Sequence, residues 1–253
     1  MNIRVLGAFG NEGPGQRPTA FLVNDRTLVD AGSVAGGLCL SEQLAIDEVL
    51  LTHAHLDHLV GAAYLAETFA ISGTPRALTI AALTPVVEAV RTGIFNNTVW
   101  PDFSVIPSGS PAVKFRPLVP EEEYRAGDLR VIPVPVDHSV PAAGFIVHDG
   151  TSGFVYSGDT GPTEALWRAA KMIRGIRAVL VECAFPNRLR DLANVSRHMT
   201  PERIQRERDK MPPDVPILVY HVKPAFFVET ADELARIGGD IAVVSQDKVY
   251  SIY

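Results

Sequence analysis

LTHAHLDHLVG, residues 51–61, sets three histidines and an aspartate within six positions directly after the apolar run DEVLL. Such groups are costly at the end of a buried strand, because they give up hydration without guaranteed partners. A bound metal supplies the partners. His53 and His55 alternate with Ala54 and so point to one side of an extended segment, while Asp57 and His58 fall where the chain turns into a helix. Two such pairs, aimed in slightly different directions, suit two metals.

The same chemistry recurs where other apolar runs end. His138 follows LRVIPVPV in VPVDHSVPAAG, Asp159 closes VYSGDTG, and His221 ends PILVYHVKP. One strand-end histidine is ordinarily a satisfied core or loop residue. Four strand ends carrying ligand-type groups shift the balance to a metal centre, with Asp159 suited to bridge because a carboxylate offers two oxygens.

The 253 residues, 47% of them hydrophobic, are ample for a sizeable core, and no linker-like run divides them, so one domain over 1–253 is expected. With 23 basic against 29 acidic residues the formal charge is -6, which argues against a surface built for polyanions; no nucleic-acid partner is expected. Cys39 and Cys183 lie in no metal-ligand spacing and read as two buried thiols. MNIRVLGAFG reads as a first strand rather than a signal peptide, and no apolar run reaches membrane-spanning length, so the expected location is cytoplasmic without a membrane partner. Oligomeric state is left open, a homodimer included.

Strand-like runs NIRVLGAF, TAFLV and RTLVDAG come first, then DEVLLT with the helical spacing of DHLVGAAYLAETFA behind it, strand RALTIAA and helix TPVVEAVRTGIF. VKFRPLV, LRVIPVPV, AGFIVH and GFVYSG make the middle strand-rich. Helices PTEALWRAAKMI, TPERIQRERDKM and ETADELARIG then alternate with strands AVLVECAF and PILVYHV before DIAVVSQ and KVYSIY. Antiparallel runs followed by strand–helix alternation in each half predict two sheets packed face to face with helices outside.

His53, His55, Asp57 and His58 form an HxHxDH signature, and His138, Asp159 and His221 follow in order. In this pattern, and in LVDAG near the start, nearly the whole chain resembles the metallo-beta-lactamase superfamily. The resemblance implies an α+β fold, a four-layer αββα sandwich with metals at one edge between the sheets. HAHLDHLVG is similar to the HxHLDHxxG signature of class-II cyclic-nucleotide phosphodiesterases, and HSVPAAG, FVYSGDTGPTEALW, FPNRL, VSRHMTP and YHVKPAF resemble segments of the bacterial members. AAYLAE departs from the Ser-Pro or Ser-Ala end of the stricter pattern.

Imidazole and carboxylate donors without thiolate suit two zinc ions, and manganese or iron fit the same set. Two ions held about 3.5–4 Å apart share a water and lower its pKa from about 15.7 toward about 7, so a metal-bridging hydroxide is the expected nucleophile. Hydrolysis of a 3',5'-cyclic nucleotide such as cAMP to the 5'-monophosphate is the reaction the resemblance implies. A tRNA 3'-processing ribonuclease and a lactone or thioester hydrolase use the same ligands, but no long basic arm for tRNA is present. A non-catalytic metal scaffold would need only four ligands. No GxSxG elbow supports a serine nucleophile.

Asp57, His198 and Glu182 are the catalytic candidates. His198, in VSRHMTP, matches the place where related phosphodiesterases of this fold carry a proton donor; the plainer reading is a neighbour of the helix start at Thr200–Pro201. Glu182 either orients His198 or is a paired carboxylate at a strand end. Lys223 reads as a phosphate contact or a solvated lysine, and Trp100 as a surface for a purine or a core residue. Phe185, Asn187 and Phe226 are further substrate-pocket candidates. GAFGNEGPGQRP lacks GxGxxG spacing and reads as a hairpin loop, and His148, in the turn VHDGTS, as exposed and without function.

Overall fold

Alternation along the strands decides what each sheet face meets, and the computed structural model, which describes residues 1–253, resolves two seven-stranded sheets. The first contains β1 (Asn2–Gly7), β2 (Ala20–Val23), β3 (Thr27–Ala31), β4 (Glu48–Leu50), β5 (Leu78–Leu83) and β6 (Val113–Leu118), with β14 (Val249–Ser251) beside β1. The second runs in chain order through β7 (Tyr124–Ala126), β8 (Leu129–Pro135), β9 (Ala143–His148), β10 (Gly153–Tyr156), β11 (Ile176–Glu182), β12 (Ile217–Tyr220) and β13 (Ile241–Val243). Helices α1 (Leu40–Ala45), α2 (Leu56–Ser72) and α3 (Thr84–Gly93) accompany the first sheet; α4 (Glu164–Lys171), α5 (Arg190–Ser196), α6 (Pro201–Glu207) and α7 (Phe227–Ile237) accompany the second.

Three core clusters define four layers. On β2, Ala20 and Leu22 join α2 residues such as Leu59 and Phe69, while Phe21 and Val23 face the other sheet. On β12, Leu218 and Tyr220 lie between the sheets, while Ile217 and Val219 pack with Trp167 of α4 and Leu234 of α7. Side chains alternating with period two thus feed two interfaces from each sheet. The expected helix–sheet–sheet–helix sandwich is what these contacts build.

Topology places the strand ends. β3 to β6 are mutually parallel, as are β10 to β13, and each parallel step needs a crossover, supplied by helices. β8 and β10 are both antiparallel to β9 and therefore run the same way. The carboxyl ends of β4, β8, β10, β11 and β12 consequently open at one edge, the position that open α/β sheets use for ligands.

Some expectations need correction. α1, α5 and β7 were not foreseen: they are short, with no buried residue in α1 and one each in α5 and β7. Cys39 is exposed at the start of α1, and only Cys183 is buried. His148 is buried, because it ends the fully buried β9, and its Nε2 lies 3.0 Å from Glu123 Oε2. No helix is long and apolar enough to cross a membrane.

Candidate metal centre

β4 delivers His53, and the next residues turn into α2 with His55 at its N-cap, Asp57 in its first turn and His58 buried on its inner face. Gly32 is required here, since a Cβ on it would sit 2.0 Å from the Asp57 carbonyl oxygen. β8 leads to His138, β10 to Asp159, and β12 to His221, whose backbone is left-handed at φ 66°. His53, His58 and His221 are fully buried, and His138 and Asp159 nearly so.

Two ligand-type groups converge. Donor atoms of His53, His55, His138 and Asp159 lie within 4.8 Å of one another, as do those of Asp57, His58 and His221. Asp159 belongs to the first and also gathers with His198 and His221. His138 Nε2 and His55 Nδ1 stand 3.3 Å apart, as two lone pairs aimed at one cation would. The decisive observation is unmet valence: His53 Nε2, His58 Nε2 and Asp159 Oδ1 are buried with no hydrogen-bond partner. Buried polar atoms are rarely left so, and an ion is one of the few remedies. The residues fit a pair of divalent cations.

Electrostatics agrees. Burial alone would lower the pKa of His58, but Asp159 and Asp30 on either side raise it well above normal. Burial would raise Asp159, yet His221 and His58 hold it well below the usual carboxylate range. Burial drives His53 down, lowers His55 and His138, and brings His221 to about 4, which keeps their nitrogen lone pairs free. For Asp57, burial is outweighed by His58, His221 and Lys223, and its pKa is lowered.

Asp30, in LVDAG, was missed as a site residue. Its carboxylate accepts from His58 Nδ1 at 2.7 Å, from Tyr156 Oη at 2.9 Å, and from the Thr52 backbone N–H and hydroxyl at 2.9 and 3.0 Å. This turns His58 Nε2 inward, while Thr52 Oγ1, its proton spent on Asp30, accepts from His53 Nδ1 at 2.9 Å. An aspartate ending a buried apolar strand was the available signal, since it needs partners.

The structure brings His198 and Glu182 to this edge. Glu182, at the end of β11, accepts from His198 Nδ1 at 2.7 Å and from the backbone N–H groups of Thr160 and Ala184. Burial opposes the His198 charge, but Glu182 more than offsets it and the pKa is raised. Lys223 is held rather than freely solvated: its Nζ donates to the Gly10 carbonyl and lies 3.4 Å from Asp57 Oδ2. Phe185 stands edge-on to His198 with ring centroids 5.7 Å apart, and Phe226 lies 6.1 Å beyond it.

Two substrate candidates are placed differently. Asn187 Oδ1 accepts from the Glu202 N–H, supplying the cap that the Thr200 side chain does not give α6. Trp100 donates from Nε1 to the Ala63 carbonyl and walls an apolar cleft on the flank of α2 with Leu56, Val60 and Tyr64, partly packed against the core.

Residues 26–221 match the beta-lactamase superfamily domain. A Yersinia pestis protein named probable 3',5'-cyclic-nucleotide phosphodiesterase is 28% identical over 210 residues, covering 72% of this chain and 58% of its own length. A Schizosaccharomyces pombe 3',5'-cyclic-nucleotide phosphodiesterase is 28% identical over 183 residues, covering 64% of this chain and 51% of its own length. The chain thus spans little more than half of these relatives. The crystal structure of unliganded yeast PDE1 superposes with a TM-score of 0.83 at 18% identity, covering 98% of each chain, a likeness of fold.

Proposed function

The chain belongs to the beta-lactamase superfamily, and from that premise we propose that it is a metal-dependent phosphodiesterase hydrolysing a 3',5'-cyclic nucleotide to the 5'-monophosphate. One observation carries the reading: seven ligand-type groups converge on buried, unpartnered atoms beside a histidine that a carboxylate keeps basic. His53, His55, His138 and Asp159 would hold one ion, and Asp57, His58 and His221 with Asp159 the other. Zinc suits these donors best, and Mn2+ or Fe2+ fit them too. Bound there, the pair would supply an acidified water and neutralise phosphodiester charge.

The chain's own residues do the rest. His198, held by Glu182, keeps its proton to higher pH and passes it from Nε2 to the departing 3'-oxygen. Asp57 stays ionised at the open side of the centre, and Lys223 beside it meets a phosphate oxygen as a point charge. Phe185 and Phe226 form an apolar wall next to His198, and Trp100 offers a more distant face for a base. The relatives' names favour a small cyclic nucleotide.

The test is a panel assay of the metal-loaded protein on cAMP, cGMP, a 2',3'-cyclic nucleotide, pre-tRNA and a lactone. Cleavage of a 3',5'-cyclic nucleotide and not of pre-tRNA is expected. Cleavage of pre-tRNA alone, or of the lactone alone, overturns the proposal.

A further inference from the structure

A histidine binds a metal through one nitrogen only if the other holds the proton, so each ligand needs a neighbour that fixes its tautomer. For His58 and His138 that neighbour is an obligate acceptor, Asp30 and the Arg197 carbonyl, as Glu182 is for His198, which is not among the ligands. His221, like His53 beside Thr52, faces a hydroxyl instead. Its Nδ1 lies 2.9 Å from the hydroxyl of Thr19, a group able to donate or accept.

What settles the direction is a third atom. Thr19 Oγ1 also lies 3.1 Å from the Phe9 carbonyl oxygen, which can only accept, and a hydroxyl has one proton. With that proton on Phe9, the oxygen must accept from His221 Nδ1–H. On the other side of the ring, His221 Nε2 faces both a donor, the Lys223 ammonium at 3.4 Å, and an acceptor, Asp159 Oδ2 at 3.1 Å, so the Thr19 side decides the tautomer. Thr19 and His221 are both fully buried, and water does not relieve either bond.

We propose that Thr19 is a positioning residue that holds His221 in its metal-binding tautomer, and that it does so through the glycine-rich loop between β1 and β2. The Phe9 carbonyl belongs to that loop, and the loop lies directly on the ligand: His221 N–H donates to the Ala8 carbonyl, and a Cβ on Gly10 would stand 2.8 Å from His221 Nε2. The segment GAFGNEGPGQRP is thereby part of the support of the metal centre as well as a hairpin connection. The inference rests on the metal-binding reading above.

Thr19→Val keeps the shape and removes the hydroxyl; Thr19→Ser keeps the hydroxyl. Zinc affinity by competition with a chromophoric chelator should fall about 10–100-fold in Thr19→Val and stay within a few-fold of wild type in Thr19→Ser. Long-range 1H–15N spectra of the metal-free protein should show the proton of His221 on Nδ1 in wild type and Thr19→Ser, and that preference lost in Thr19→Val. Unchanged zinc affinity and tautomer in Thr19→Val overturn the proposal, as does a Thr19→Ser protein as weak as Thr19→Val, since the loss would then be one of packing. If wild type takes up no zinc, the metal-binding reading fails, and the His221 spectra still decide the role of Thr19.

Discussion

Asp159 Oδ1 stands 3.3 Å from His58 Nε2 with no hydrogen bond between them, although both atoms are buried. The other oxygen, Oδ2, is 3.7 Å from His53 Nε2 and 3.1 Å from His221 Nε2. One carboxylate therefore faces histidines of both ligand groups. Asp159→Ala should lose more metal than any single ligand-histidine variant, measured by elemental analysis after dialysis against zinc. Equal losses across the set would show that Asp159 serves a single ion.

The His198–Glu182 pair predicts a split between protonation and metal binding. A positioned general acid contributes about 10²–10⁴-fold, so His198→Ala should lower turnover on a cyclic nucleotide within that range while metal content holds. The deficit should shrink on a p-nitrophenyl phosphodiester, whose leaving group departs without a proton. Loss of metal, or equal impairment on both substrates, would make His198 a ligand or a structural residue.

Asp30 lies outside the gathered ligand-type groups, yet it sets His58 and, through Thr52, His53. In Asp30→Asn an NH2 group would replace one of two oxygens that at present only accept, and would face a donor. Zinc affinity should drop about 10–100-fold, the range for partners that orient metal ligands. Chelator competition reads this directly, and an affinity equal to wild type would leave Asp30 with a folding role alone.

The clustering of the candidate ligands was legible because HAHLDH is local and because buried strands cannot carry such groups without partners. The two sheets were legible from the order of strand and helix runs and the four layers from the family resemblance, whereas β2 and β12 are apolar at every position and their faces cannot be told apart by alternation. The supports were hidden by sequence distance: Tyr156 reaches Asp30 across 126 positions, and Thr19 reaches His221 across 202. A lone threonine before an apolar strand gives no pattern to read. The bond from Asn187 Oδ1 to the start of a helix 15 residues on was hidden for the same reason.

At the amino end of β4, away from the histidines, Glu48 is 5% exposed and its Oε1 has no hydrogen-bond partner; the nearest cation, Arg116, is 3.6 Å away. Burial raises its pKa from 4.5 to about 7, against the opposing pull of Arg116. Below pH 4.5 the carboxyl is protonated in the folded and unfolded chain alike and costs nothing. As pH rises toward 7 the unfolded chain releases a proton that the folded chain keeps, so stability falls, and above 7 the whole penalty is present. Glu48→Gln should therefore change stability little at pH 4.5 and raise it at pH 8, by no more than about 3.5 kcal/mol at about 1.4 kcal/mol per pKa unit. Urea unfolding of metal-free variant and wild type across this range reads the difference, in which the histidine titrations common to both cancel. A difference that stays flat with pH would mean that Glu48 ionises as an ordinary carboxylate and that Arg116 compensates its burial.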